Sequence, residues 1–308
     1  MNDGKVDWTG NFPAVVTPFT HDGAIDEGKF LANIELLVAE GADGIIVSGS
    51  NGESWALEGD ERLRLFKIAA ALMKGKVPVI AGTGGIVTRR VVDLTRAAKE
   101  VGCAGAMIMP PYYAMVNRKE VTAHYQAISD GARLPIMLYN SPAATGFNLT
   151  AEVCAELVRI DHVVAVKQSV PDFVEFANTV DAVGDRLRVF TGSSGKRGLA
   201  AVAVGCVGFI SSEDAHVMGR EGIALWKLAS RGPIERARAL QARILRMKNL
   251  LGKIGTAPAA MKTAMNLLGR PGGCVRPPLL NLDEAETAKV RAALETLGLL
   301  KGARAAAE

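Results

Sequence analysis

Aromatic residues are scarce: Phe, Trp and Tyr together make up 5% of the 308 residues. Lysine and arginine are spread along the chain, so the net charge of +4 and the pI of about 8.9 come from no basic block. A nucleic-acid-binding surface would want clustered cations with aromatics between them, and none is expected. No apolar run reaches the ~18 residues of a membrane span. Residues 1–10, MNDGKVDWTG, lack the apolar core of a secretion signal, and a cytoplasmic location is expected. Cys103, Cys154, Cys206 and Cys274 lie far apart with no C-x-x-C pair, which points to buried thiols in a reducing compartment. His21, His124, His162 and His216 show no metal-ligand spacing, so no metal is expected. Two glycine-rich stretches fail as nucleotide loops. GTGGIV lacks the last glycine of a dinucleotide loop, and GSSGKRG lacks the first glycine and the Ser/Thr of a phosphate loop. No cofactor is implied.

What is present is a recurring apolar run. PAVVTPF (13–19), GIIVSG (44–49), VPVIAGT (77–83), AGAMIMP (104–110), LPIMLYN (134–140), VVAVKQS (163–169), LRVFTGS (187–193) and VGFISS (207–212) are mostly continuous rather than alternating. Strands buried on both faces, as in a parallel sheet, read this way. Between them lie segments with helical spacing at 29–41, 61–74, 89–102, 173–184 and 220–230, several ending in glycine. Eight such units, with strand starts 20 to 33 residues apart, predict a (β/α)8 TIM barrel over 9–231. An open doubly wound sheet is the alternative, but it carries a glycine fingerprint after its first strand, and THDG is not one. Further helical segments at 234–252, 257–269 and 283–298 predict a C-terminal helical extension over 232–300, followed by a frayed tail at 301–308.

Barrel active sites sit at the C-terminal ends of the strands. Among those ends, VVAVKQS alone brings a cation, Lys167, to the close of an apolar strand. Desolvation there disfavours the ammonium form, and a neutral amine attacks a ketone to give a carbinolamine and then a Schiff base. A lysine in this place could also snorkel to solvent or pair with a carboxylate. Tyr139 ends the neighbouring strand, where a phenol could relay protons; a core tyrosine with a satisfied hydroxyl would read the same. The loop GSNGES (49–54) offers free backbone N–H groups and the Ser50 hydroxyl to a carboxylate, or is an ordinary strand-to-helix turn.

Taken together, GSNGES, GTGG, PPYY, YNSPAATG, VKQS and VGFISS, in this order and at these barrel positions, resemble the dihydrodipicolinate synthase / N-acetylneuraminate lyase family of Schiff-base-forming lyases. The resemblance runs from GNFPAVVTPFTHDGAID to NLLGRPGGCVRPPLLNL. It implies that Lys167 forms the imine with a 2-oxo acid such as pyruvate and that Tyr139 relays protons. Ser50 and Asn51 would bind the keto-acid carboxylate, Asn51 standing where the family has a threonine. Gly192 and Ile210 would line the substrate pocket. Tyr113 matches a tyrosine that reaches into a neighbouring subunit's site, and a homotetramer built as a dimer of dimers is implied. One position departs: lysine-pathway synthases carry an arginine where this chain has Ala144. The expected activity is therefore that of a 2-keto-3-deoxy sugar-acid aldolase. The alternatives are 4-hydroxy-tetrahydrodipicolinate synthase, a dehydratase or deaminase of the same family, and, outside the class, a silent ligand-binding barrel. Lys196 and Arg197, after strand 7, offer a different anion contact or a solvated helix start.

Overall fold

The computed structural model describes residues 6–192 and 194–300. Eight parallel strands form one sheet: β1 (Gly10–Asn11), β2 (Ile45–Val47), β3 (Val79–Gly82), β4 (Gly105–Ile108), β5 (Ile136–Asn140), β6 (Val163–Gln168), β7 (Arg188–Thr191) and β8 (Gly208–Phe209). Each pairs with the next in sequence from β2 to β8, and β1 pairs with β8. A parallel bridge between Ala14 and Ile46 joins the two ends and closes the cylinder. This is the (β/α)8 barrel that the spacing of apolar runs predicts.

The strands read as continuous apolar runs because both faces are buried. Inward residues Ile46, Ile80, Met107, Met137, Ala165 and Phe190 pack on one another inside the barrel. Their neighbours Ile45, Val79, Ile108, Leu138, Val166 and Val189 face the helices. Trp8 closes the N-terminal mouth: a Cβ on Gly105 would lie 2.3 Å from its ring, so only glycine fits there. The first ladder differs from the predicted strand at 13–19. Pro13 and Pro18 have no N–H to donate, and beyond β1 the chain keeps only scattered bonds, such as Val15 N–H to the Ile46 carbonyl at 2.9 Å.

Helices Glu27–Ala39, Gly59–Met73, Thr88–Glu100, Arg118–Ala132, Ala151–Leu157, Phe173–Val183 and Ser194–Ala203 cover strands β1 to β7. Asp26, Asn117 and Asp172 cap three of them through their side chains. The helix expected at 220–230 is broken into Arg220–Ile223 and Leu225–Arg231. In the extension, Ile234–Leu251 packs on Ser194–Ala203, Ala257–Leu267 on the turn of helix at Glu213–Met218, and Glu284–Thr296 on Ala257–Leu267. The tail expected at 301–308 lies outside the described residues. Among them, no helix is long and apolar enough to cross a membrane. All four cysteines are free; Cys103, Cys154 and Cys206 are buried, and burial pushes each thiol up to about 12. Cys274 is half-buried, beside His21, rather than buried as expected.

Candidate active site

β5 and β6 end side by side. Their register sets Tyr139 opposite Lys167 and Asn140 opposite Gln168. Because side chains alternate across a strand, the first pair shares the inward set and the second faces the helices. The outward pair is a buried clamp. Asn140 Nδ2 donates to Gln168 Oε1 at 2.8 Å, and Gln168 Nε2 donates to Thr179 Oγ1 at 3.0 Å on the next helix. The Leu149 N–H donates to Asn140 Oδ1 at 3.0 Å. These two amides went unremarked in the sequence, yet they fix the strand ends that carry Lys167 and Tyr139.

Lys167 is 7% exposed and Tyr139 8%. The Lys167 Nζ lies 3.8 Å from the centre of the Tyr139 ring. The Tyr139 hydroxyl is 3.4 Å from Ser50 Oγ. Burial alone would push this phenol up, but the Lys167 ammonium and the hydroxyls of Ser50 and Ser141 outweigh it and hold the phenol below its ordinary value. Gly192, after β7, leaves the room that Lys167 occupies. A Cβ there would stand 3.0 Å from Lys167 Cε and 2.1 Å from Ser169 Oγ. Ile210 is buried in the same inner core as Tyr139 and Phe190.

The loop after β2 is a pair of tight turns, Ser50–Gly52 and Ser54–Ala56, joined at Glu53. Asn51 turns its side-chain amide to Ser212, after β8, with Nδ2 donating to Oγ at 2.6 Å. Thr17 Oγ1 donates to the Gly52 carbonyl at 2.8 Å. A cavity of about 180 Å³ opens beside Ser50 and Tyr139, lined also by Arg62, Met107, Met109 and Tyr112. Arg62 was not singled out by its sequence context. Desolvation draws its guanidinium down to about 10, and it donates to the carbonyls of Gly82 and Gly84.

Three residues singled out in the sequence stand apart from this group. Tyr113 is 89% exposed with φ +68°, well away from the interior of its own chain. Arg197 donates to the Val170 carbonyl and lies 5.8 Å from the Phe176 ring, so it braces the loop after β6 on the helix side. Lys196 is exposed to solvent. Each histidine has its own partner: His124 with Thr88, His162 with Ser129, His216 with the Ser212 carbonyl and His21 with Cys274.

Comparison with known proteins agrees with this architecture. The model of the Dihydrodipicolinate synthetase family matches residues 7–297. An uncharacterized DapA-like lyase of Rhizobium meliloti is 37% identical, over 96% of this chain and 98% of its own length. A 4-hydroxy-tetrahydrodipicolinate synthase of Geotalea uraniireducens is 35% identical, over 94% of this chain and 99% of its own. Among solved structures, dihydrodipicolinate synthase from Aquifex aeolicus superposes with a TM-score of 0.89 at 32% identity, covering 96% of this chain and 100% of that one. YagE from E. coli K12, a prophage protein of the same family in complex with pyruvate, superposes with a TM-score of 0.89 at 28% identity, again over 96% and 100%. The chain therefore belongs to the dihydrodipicolinate synthetase family and is a class I lyase.

Proposed function

We propose that this lyase acts on a 2-oxo acid through an imine at Lys167. The observation that carries the reading is the register pair at the ends of β5 and β6: a buried amine against a buried phenol, both on the inner wall. The Lys167 amine in its neutral form adds to the C2 carbonyl to give a carbinolamine. Water leaves with a proton delivered by Tyr139, and a protonated imine remains. Tyr139, left as the phenolate, takes the proton of the C4 hydroxyl; the C3–C4 bond breaks, its electron pair becoming the C2=C3 bond while the C=N pair moves onto nitrogen. An aldehyde leaves and an enamine remains; protonation at C3 by the Tyr139 hydroxyl and hydrolysis of the imine free pyruvate and the lysine. Run backwards, the same steps form the C–C bond. Ser50 and the N–H of Asn51 would hold the carboxylate, since the Asn51 side chain is engaged by Ser212. Gly192 and Ile210 shape the wall around the imine.

The side chains around the turn after β5 support a substrate class. Ala144 offers no cation on the turn Pro142–Thr145, Arg197 is committed to the Val170 carbonyl, and the Arg62 guanidinium in the cavity wall is spent on the Gly82 and Gly84 carbonyls. A charged aldehyde would lack a bidentate partner, so a neutral, hydroxylated partner derived from a 2-keto-3-deoxy sugar acid is the better fit. The relatives named 4-hydroxy-tetrahydrodipicolinate synthase favour a second reading, condensation of pyruvate with aspartate semialdehyde. A screen of sugar-derived 2-oxo acids for pyruvate release, run beside the synthase assay, separates the two. Brisk synthase turnover with no cleavage of sugar acids would overturn the first reading.

A homotetramer, a dimer of dimers, is part of the proposal. Tyr113 (89% exposed), Met115 (76%), Val87 (50%) and Ile86 (42%) are large apolar side chains left open to solvent. Contact with a second copy would cover them and carry Tyr113 towards the other subunit's site. Sedimentation velocity of the wild type and of Tyr113→Ala tests this, and a wild type that sediments as a monomer would overturn it.

A further inference from the structure

A lysine of the C-terminal extension lies buried against the loop that would hold the substrate carboxylate. Lys262, on helix Ala257–Leu267, is 1% exposed, and Glu53 is 0% exposed. The Lys262 ammonium has three protons and uses all three: to Glu53 Oε1, to the Thr17 carbonyl at 2.6 Å and to the Cys274 carbonyl at 2.7 Å. The other Glu53 oxygen accepts the backbone N–H of Arg276 at 3.0 Å. Arg276 in turn forks onto Glu61 at 2.7 and 2.8 Å and reaches the Ala56 carbonyl at 2.8 Å. The extension therefore grips the loop at its central joint, through Glu53, and at its far end, through Ala56.

The grip has a geometric consequence. Glu53 sits at φ +51°, ψ +46°, a left-handed conformation that a residue with a Cβ adopts only when its surroundings hold it there. That residue is the joint between the two tight turns of the loop. On one side of it stand Ser50, which meets the Tyr139 hydroxyl, and Asn51, which meets Ser212. Binding groups act only when held within a fraction of an ångström of their working position. A buried ion pair is a poor source of net stability, because desolvation consumes most of the attraction. This one is also hydrogen-bonded on every proton, which suits it to fixing a conformation.

We propose that Lys262 is a positioning residue: through Glu53 it sets the 49–54 loop in the shape that recognises the 2-oxo-acid carboxylate. The C-terminal extension is then part of the substrate site. The inference rests on the Schiff-base reading above, and its test separates the two. The probes are pyruvate and acetone, ketones with and without a carboxylate, each trapped on the full-length protein with borohydride and quantified by intact mass. The variant is the double change Glu53→Gln with Lys262→Met, which removes both charges together so that neither is stranded. Lys262→Arg, which keeps the charge, serves as the rescue.

The expected result is a rise of about tenfold or more in the half-saturating concentration of pyruvate for the double variant, with acetone trapping changed less than about twofold and Lys262→Arg falling between. Thermal melting runs alongside. Unchanged pyruvate trapping overturns the proposal, and so does an equal loss for both ketones, the signature of a merely structural pair. If the double variant does not fold, the pyruvate-to-acetone ratio of Lys262→Arg decides in the same way. A wild type that forms no adduct with pyruvate refutes the Schiff-base reading itself, and the proposal with it.

Discussion

The Lys167 ammonium stands 3.8 Å from the centre of the Tyr139 ring, and the two residues are partners across the β5–β6 ladder. Neither could be moved alone. The strands that carry them are tied by the hydrogen bond from the Asn140 amide to the Gln168 amide on the opposite face, so their separation is a property of the barrel rather than of two flexible side chains. Burial works to raise the Tyr139 phenol, but the Lys167 charge and the Ser50 and Ser141 hydroxyls outweigh it and loosen its hold on its proton. The pair can therefore trade a proton with little rearrangement, as imine formation and hydrolysis both require.

Lys167→Ala should abolish the borohydride-trapped adduct with pyruvate and reduce lyase turnover to background. The check is intact mass before and after reduction. An adduct of full stoichiometry on the variant would move the imine to another lysine.

Tyr139→Phe keeps the ring against Lys167 and removes only the hydroxyl. Turnover should fall by about 10²–10³-fold, the usual worth of a positioned proton relay. The equilibrium adduct with pyruvate should survive, formed more slowly. Stopped-flow trapping distinguishes this from a variant that cannot bind at all.

Gly192→Ala places a methyl 3.0 Å from Lys167 Cε and 2.1 Å from Ser169 Oγ. Ser169 can swing aside, but Lys167 lies against the Tyr139 ring. The expected outcome is a loss of about tenfold to a hundredfold in kcat/KM from displacement of the amine, with the melting temperature changed by only a few degrees. Steady-state kinetics beside a thermal melt reads both. Wild-type kinetics would show that Lys167 does not need the space.

Acid should destabilise the fold in a defined window. His124 and His216 are buried, and desolvation pulls both imidazoles down from 6.5 to about 4. An unfolded chain takes up these protons near pH 6.5, while the folded one waits until about pH 4. Stability is therefore whole above pH 6.5 and declines as pH falls towards 4, by on the order of 2–3 kcal/mol for each histidine. Glu213 extends the decline. Burial works to raise its carboxyl, but Lys248 at 2.6 Å holds it at about 2, so its contribution fades as pH drops from about 4.5 to 2. Urea midpoints between pH 7.5 and 4 measure the slope. Replacing both histidines by Gln should flatten the upper part, and an unchanged slope would assign the loss to other groups.

The barrel was readable because a strand buried on both faces has no choice but to be apolar throughout, and its end is where that rule is broken. Lys167 and Tyr139 break it and so stood out. β1 did not, because Gly10 and Asn11 carry no apolar signal. Their ladder depends on context: Gly10 takes φ +110°, and Asn11 donates its amide to the Ile223 carbonyl at 3.2 Å, 212 residues away. Helix Arg118–Ala132 lacks a clean apolar period, and its legible sequence mark is the capping box of Asn117 and Glu120, whose spacing is local. The Glu53–Lys262 pair was invisible for another reason. Its partners lie 209 residues apart, and each alone reads as an ordinary surface charge.

Ala144 is the position on which the proposed choice of substrate turns. It is exposed on the turn Pro142–Thr145, directly after the strand that carries Tyr139. The Gly146 N–H closes that turn onto the Pro142 carbonyl at 2.9 Å, and the exposure of Ala144 leaves room for a longer side chain. A guanidinium at this point would supply the missing fork for a carboxylate. Ala144→Arg should raise kcat/KM for aspartate semialdehyde by about tenfold to a hundredfold, the worth of one charge-assisted bidentate contact. It should lower turnover of neutral, hydroxylated partners, whose space it fills. Competition kinetics with both substrates in one reaction reads the switch directly. If neither rate changes, the second substrate approaches from another side of the barrel mouth, and the neutral-partner reading loses its main support.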